Sequence, residues 1–200
     1  MEAKILLFNR WDLSDVNVED NGLKRHINIA PIIVPRTAGR FTGVSARKSK
    51  INIVERFMNK LMVPGHRGKK HKTSSGHCVG GSQNLYMNVK KAFEIIEQRT
   101  KKNPVQVLVK AIENSAMLEE VASYRMGGII ARKAVITSPR RRLDLALRHM
   151  TQGIYRASFK NPKRLPEVIA SELMAASNND TKSFPIQERN RMEKEADGAR

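Results

Sequence analysis

Most of this 200-residue chain repeats apolar residues at the spacing of an α-helix, whereas one stretch alternates like a β-strand. Helical spacing begins after Asn52 and returns over about 83–101, 103–117, 139–154 and 165–176, and a polar helix is predicted over roughly 184–197. Residues 119–137 alternate around Gly127-Gly128, where both glycines can adopt positive φ in a tight turn. One two-stranded ribbon is too small to build a core. The pattern therefore predicts a mainly α fold, a bundle of about six helices with one protruding basic β-hairpin.

The chain divides by pattern into an N-terminal extension over 1–50 and a helical domain over 51–200. Within the extension, 36–50 lacks apolar periodicity and predicts an extended basic arm. Within the domain, the hairpin occupies about 119–138, and 64–84 is rich in Gly, Ser, Lys and His, which predicts a long basic loop. Helix starts are predicted at Asn52, at Asn103-Pro104 and at Ser138-Pro139, because Asn and Ser cap helices and proline suits the first helical position.

The basic residues are concentrated in two blocks. Residues 36–91 hold thirteen basic residues against one acidic residue, Glu55, and residues 120–165 hold eleven against two. A solvated surface explains mixed charge but explains single-sign blocks of this size poorly. Because a net charge of +18 opposes compaction and favours a polyanionic partner, the blocks predict contact with nucleic acid.

The run Arg140-Arg141-Arg142 begins a predicted helix, where the helix dipole disfavours positive charge. A phosphate between these side chains and the free N–H groups of the helix start would remove the conflict. The sequence therefore predicts that this run, together with Arg148, faces solvent or phosphate.

Composition argues against several classes of protein. No apolar run approaches the roughly 18 residues of a membrane helix, and the apolar stretch near the start is too short for a signal peptide, so a cytosolic protein is expected. The single cysteine, Cys78, excludes an internal disulfide framework. Aromatic residues make up only 5% of the chain, which argues against wide base-stacking platforms.

The basic loop contains four candidate metal ligands. His66, His71, His77 and Cys78 match no standard zinc spacing, and we expect these histidines to contact RNA or water. No nucleotide-binding glycine motif occurs, and Glu55 is the only carboxylate that the first basic block offers. The chain is therefore expected to be no enzyme and to need no cofactor or metal.

Several stretches, in the same order along the chain, resemble one protein family. They are 53–62 (IVERFMNKLM), 92–96 (AFEII), 103–115 (NPVQVLVKAIENS) and the hairpin leading into 138–146 (SPRRRLDLA). The set resembles the universal small-subunit ribosomal protein seven family, called protein five in eukaryotic ribosomes. The stretches 7–11 (LFNRW) and 35–41 (PRTAGRF) resemble its eukaryotic branch.

The resemblance implies a structural constituent of the small ribosomal subunit, a cytoplasmic particle that is assembled in the nucleolus if the host is eukaryotic. Such a protein binds rRNA of the head, in the 3′ major domain, and nucleates assembly of the head. Its hairpin lies near the mRNA exit channel and the exit-site tRNA. Neighbouring ribosomal proteins and initiation factors are further expected partners, and neither a membrane nor a homo-oligomer is expected.

The resemblance also assigns residues. The rRNA-binding residues would be Arg36, Arg40, Arg47, Lys48, Lys50, Arg56, Lys60, Arg67, Lys69, Lys70, Lys72, Arg140, Arg141, Arg142 and Arg148. The mRNA- and tRNA-proximal hairpin residues would be Arg125, Gly127, Gly128, Arg132 and Lys133, and Arg200 would lie near tRNA. The chain departs from the family between Met62 and Ala92, where it is longer, with the extra residues around 72–84.

Two other functions stay open at this point. One is a DNA-binding architectural protein, because helices with basic clusters also suit duplex DNA. The other is a nuclease or modifying enzyme that acts on RNA, which would need a carboxylate cluster that the first basic block lacks.

Overall fold

The computed structural model describes residues 4–41, 45–62 and 81–200, apart from the side chains of 45–47 and 126. The helices of this part are α1 (Asn21–Lys24), α2 (Ile53–Leu61), α3 (Ser82–Thr100), α4 (Pro104–Ser115), α5 (Pro139–Ser158), α6 (Leu165–Ser177) and α7 (Phe184–Asp197). The strands are β1 (Glu119–Met126) and β2 (Ile129–Ile136). The mainly helical fold with one hairpin is confirmed. The short helix α1 and a 3-10 helix at Ser45–Lys50, inside the stretch expected to be extended, were not predicted.

Two of the three expected N-caps form. The side-chain oxygens of Asn52 and Asn103 accept hydrogen bonds from the backbone N–H groups of Val54 and Val105, at 2.9 and 3.0 Å. Helix α5 begins at Pro139 as expected, but the Ser138 side chain makes no capping bond. Helix α3 begins at Ser82, so the last three residues of the expected loop over 64–84 are helical.

The core forms where α6 packs against α3, α4 and α5. The apolar stripes that helical spacing predicts on α2 to α5 are all buried, and Phe57, Phe93, Leu108 and Leu147 have no exposed surface. This agreement confirms the helical periodicity, because the same residues would not share one face in any other conformation.

The N-terminal residues pack onto the same core. Trp11 is 4% exposed and meets Phe8 and Phe93 edge to face, with ring centroids 5.9 and 5.7 Å away. Leu7 and Leu23 are fully buried. Trp11 therefore anchors the N-terminal segment to the core.

The hairpin extends from the core near α7. Met126 pairs with Ile129 across a two-residue turn, and Gly127 and Gly128 adopt φ of 54° and 91°. These positive angles explain why glycine occupies both turn positions. Residues 123–125 and 127–133 are exposed, so only the root of the ribbon packs against the protein.

Candidate nucleic-acid interface

The two basic blocks meet where α2 packs against α5. Lys48 and Lys60 come from the first block, and Arg140 and Arg148 come from the second. Lys48 and Arg148 are exposed, and Lys60 and Arg140 are half-buried. Asp144 lies among them, four residues from each arginine on α5, a spacing that places all three on one helix face. We call Lys48, Lys60, Arg140 and Arg148 the α2–α5 basic surface.

Lys60 shows that these charges repel one another. Burial lowers the pKa of Lys60 below its ordinary value, and the positive charges of Arg148, Lys48 and Arg56 lower it further against the opposing effect of Asp144. One carboxylate thus does not neutralise the cations around it. An anion placed on this surface would relieve the repulsion and favour the charged form of Lys60.

Arg56, an expected rRNA contact, points into the protein. It is 7% exposed and donates to the His26 carbonyl at 3.1 Å and to Asp144 Oδ1 at 3.0 Å. Burial lowers the pKa of Arg56, and the Asp144 carboxylate counters that shift. Because these donors are used internally, Arg56 joins α2 to α5 and to the segment before α2 rather than presenting itself to RNA.

The arginine run at the start of α5 divides between inside and outside. Arg142 is 9% exposed and donates to Asp20 Oδ2 at 2.7 Å and to the Met117 carbonyl at 3.1 Å. The prediction that Arg142 faces solvent is therefore wrong. Its helical position turns it toward Asp20 at the start of α1 and toward the carbonyl of the buried Met117, just before β1.

Arg141 remains exposed but has a carboxylate partner. Its Nε atom lies 2.5 Å from Glu120 Oε1, and this bond raises the pKa of Arg141. In the structure, protein carboxylates balance the charge of Arg141 and Arg142 at this helix start, and phosphate contact by these residues stays a prediction. Sequence spacing gave no signal for Asp20, which lies 122 residues from Arg142.

The hairpin carries cations on both of its faces. Arg125, Arg132 and Lys133 are exposed, as are Gly127 and Gly128. The strand register places Arg125 and Arg132 on one face and Lys133 on the other. Ile129 and Ile130 beside them are also exposed, so the tip offers charge together with apolar surface.

Arg200 lies at the root of the hairpin. Its Nη2 atom is 2.7 Å from both carboxylate oxygens of Glu119, and the Ala134 N–H donates to the Ala199 carbonyl at 3.4 Å. The Glu119 carboxylate raises the pKa of Arg200. The C-terminus is thus tied to both strands.

The remaining expected residues belong to the N-terminal arm and the basic loop. Arg36, Arg40 and Lys50 are exposed. Near the arm, Glu55 Oε1 accepts from the N–H and the hydroxyl of Thr37 at 2.9 and 2.6 Å. The side chain of Arg47, together with Arg67, Lys69, Lys70 and Lys72, lies outside the described residues.

The candidate metal ligands His66, His71, His77 and Cys78 also lie outside the described residues. Within 4–41, 45–62 and 81–200, no group of three or more potential ligands is arranged to hold a metal ion. In the same ranges, every helix is too short or too polar to cross a membrane.

The family model described as ribosomal protein S7p/S5e matches residues 23–200. The chain belongs to this family. A small ribosomal subunit protein uS7 of Nanoarchaeum equitans is 47% identical over 98% of this chain and 100% of its own length. The uS7 proteins of Methanothermobacter thermautotrophicus and Cenarchaeum symbiosum are 44% and 42% identical, over 97% and 98% of this chain and 98% and 97% of their own lengths. The family resemblance is therefore confirmed, and these relatives are archaeal. Membership of a ribosomal-protein family implies a structural rather than an enzymatic role.

Proposed function

We propose that this chain is a structural constituent of the small ribosomal subunit that binds rRNA of the head and nucleates assembly of the head. The observation that carries the proposal is the α2–α5 basic surface, where cations from three elements converge around the carboxylate of Asp144 and add to the lowering of the Lys60 pKa that burial causes. Lysine and arginine bind RNA phosphates largely without reading sequence, because the binding releases counterions. The exposed Arg36, Arg40 and Lys50 are further cations of the first basic block that phosphate can reach.

The hairpin and the C-terminus would serve a second group of partners. We place the hairpin near the mRNA exit channel and the exit-site tRNA, with Arg200 beside it. Support comes from the exposed cations Arg125, Arg132 and Lys133, which lie beyond the core where RNA can contact both faces. Neighbouring ribosomal proteins and initiation factors would contact the less basic surfaces, and assembly would take place in the nucleolus if the host is eukaryotic.

Charge reversal tests the rRNA contact. The K48E/R148E variant changes two exposed residues of the α2–α5 basic surface, and the K102E/K110E variant makes the same charge change at two exposed residues elsewhere. We expect K48E/R148E to weaken binding to the 3′ major domain of small-subunit rRNA and to reduce the slope of log K against log salt by about 1 per lost phosphate contact. Binding and incorporation are measured by filter retention and by sedimentation with small subunits.

The control variant separates the effect of the α2–α5 basic surface on RNA binding from the effect of net charge. K102E/K110E should retain most of the affinity and cosediment with subunits at high salt. An equal loss in both variants would show that net charge, not this surface, binds the RNA. Equal affinity of the unaltered protein for a DNA duplex would favour the architectural DNA-binding alternative.

A further inference from the structure

The root of the hairpin holds two arginines, one on each face. Glu119 and Glu120 are successive residues of β1, so their side chains point to opposite faces of the ribbon. Glu119 holds Arg200 through both carboxylate oxygens at 2.7 Å, and Glu120 holds Nε of Arg141 at 2.5 Å. The two arginines arrive from different elements, Arg141 from α5 and Arg200 from the C-terminus.

The arginine of each ion pair is accessible to an outside competitor. The side chains of Arg141 and Arg200 are 56% and 62% exposed, against 14% and 30% for their partners Glu120 and Glu119, and water and salt screen the attraction from the arginine side. A guanidinium group binds phosphate in the same two-point geometry that it uses for carboxylate. An RNA phosphate can therefore take the place of either carboxylate without any change in the fold.

Cations near the root of the hairpin attract RNA phosphate to the two ion pairs. Arg125, Arg132 and Lys133 lie along the exposed part of the same ribbon, and Arg140 precedes Arg141 on α5. RNA attracted by these cations would meet the negative charges of Glu119 and Glu120 at the root. It gains the two arginines only after their pairs with the carboxylates break.

We propose that Glu119 and Glu120 are internal competitors of RNA phosphate, which hold Arg200 and Arg141 in the free protein and release them when RNA binds along the hairpin. The inference rests on the proposed function and adds a way in which the protein limits RNA binding at the hairpin. Weak, non-specific RNA must break two ion pairs to reach the arginines, so the carboxylates suppress such binding. RNA held by the rest of the interface can replace both carboxylates, and release of Arg200 also removes one of the two bonds that tie the C-terminus to the hairpin.

The test compares two double variants of the full chain with the unaltered protein. E119Q/E120Q removes both competitor charges and keeps the side-chain size. E94Q/E97Q removes two carboxylates of α3, away from the hairpin, which pair with Arg10. This control makes the same change in net charge. The probe is a fluorescein-labelled 20-nucleotide oligouridylate, and affinity is measured by anisotropy over a salt series.

We expect E119Q/E120Q to bind the oligouridylate roughly twofold to thirtyfold more tightly than the unaltered protein, which is the range for two exposed ion pairs, with a steeper salt dependence. E94Q/E97Q should change affinity less than twofold. Adding R141Q and R200Q to E119Q/E120Q should abolish the gain, because the gain acts through these arginines. A direct reading comes from the Nε–H NMR signal of Arg141, which should move on addition of RNA.

Besides the absence of any gain in E119Q/E120Q, three results would overturn the inference. They are equal gains in the two double variants, a gain that persists without the two arginines, and an Arg141 signal that stays unchanged in a protein saturated with RNA. The rRNA fragment serves as the separate check on the proposed function. If the unaltered protein fails to bind that fragment, the proposed function fails, whereas normal binding with no gain in E119Q/E120Q refutes only the competition.

Discussion

Arg141 and Arg142 are neighbours in sequence with opposite environments, which makes them a matched pair for mutagenesis. Arg142 connects α5 to Asp20, just before α1, and to the carbonyl of Met117, just before the hairpin. Replacing it with alanine leaves a fully buried residue, Met117, with a carbonyl that has lost a donor, and leaves Asp20 without its ion-pair partner. We therefore expect Arg142→Ala to destabilise the fold.

The magnitude follows from the burial of the two partners. A hydrogen bond to a charged group is worth about 1.5–3 kcal/mol, and breaking a fully buried ion pair costs about 3–5 kcal/mol. The Asp20 side chain is 28% exposed, so water compensates part of the second loss. We expect the free energy of unfolding to fall by about 2–4 kcal/mol.

Urea unfolding monitored by circular dichroism measures this loss. With an m value of about 2 kcal/mol/M for a chain of this size, the midpoint should fall by about 1–2 M. The control Arg141→Ala removes one exposed ion pair and should cost at most about 1 kcal/mol. Arg142→Lys should be intermediate, because a lysine lacks the fork that reaches both partners.

The reasoning is refuted if Arg141→Ala destabilises the protein as much as Arg142→Ala, or if Arg142→Ala leaves the midpoint unchanged at constant m. The outcome also decides how assembly experiments are designed. Reversing the charge of all three residues 140–142 would unfold the protein and mimic a loss of RNA binding. R140E/R141E is therefore the variant that reports on RNA.

Four other substitutions test local features. Lys60→Met should stabilise the free protein and weaken rRNA binding, because the lowered pKa of Lys60 means that folding disfavours its charged form. The free-energy cost of folding charged Lys60 is complete below the pKa of the folded protein and disappears as pH rises toward 10.5. The unfolding midpoints of the variant and the unaltered protein should therefore converge near that pH. Gly128→Ala should cost about 1–3 kcal/mol of local stability at φ 91°, seen as faster amide exchange in β1 and β2, whereas Gly127→Asn, at φ 54°, should be tolerated. Gly153→Ala places a Cβ 2.9 Å from Phe184 Cβ and should lower the melting temperature through overpacking of about 1–3 kcal/mol.

Features that depend on short-range chemistry were predictable from the sequence. The stripes on α2 to α5, the caps at Asn52 and Asn103, and the turn at Gly127-Gly128 each follow from residues within a few positions of one another. The ordered set of family stretches also identified the family without the structure. Helix α1 was not predicted, because its four residues are too few to show a helical repeat of apolar positions.

The direction of each basic side chain was decided by the tertiary structure alone. Charge counting located both basic blocks, yet it treated Arg56 and Arg142 like Lys48 and Arg148. The difference depends on Asp20, Asp144 and the carbonyls of His26 and Met117, which folding brings to the two inward-facing arginines from distant parts of the chain. A buried guanidinium needs such partners, because an unpaired charge cannot be taken out of water at acceptable cost. Sequence thus determined how much positive charge the protein carries, and the fold determined which cations remain available to RNA.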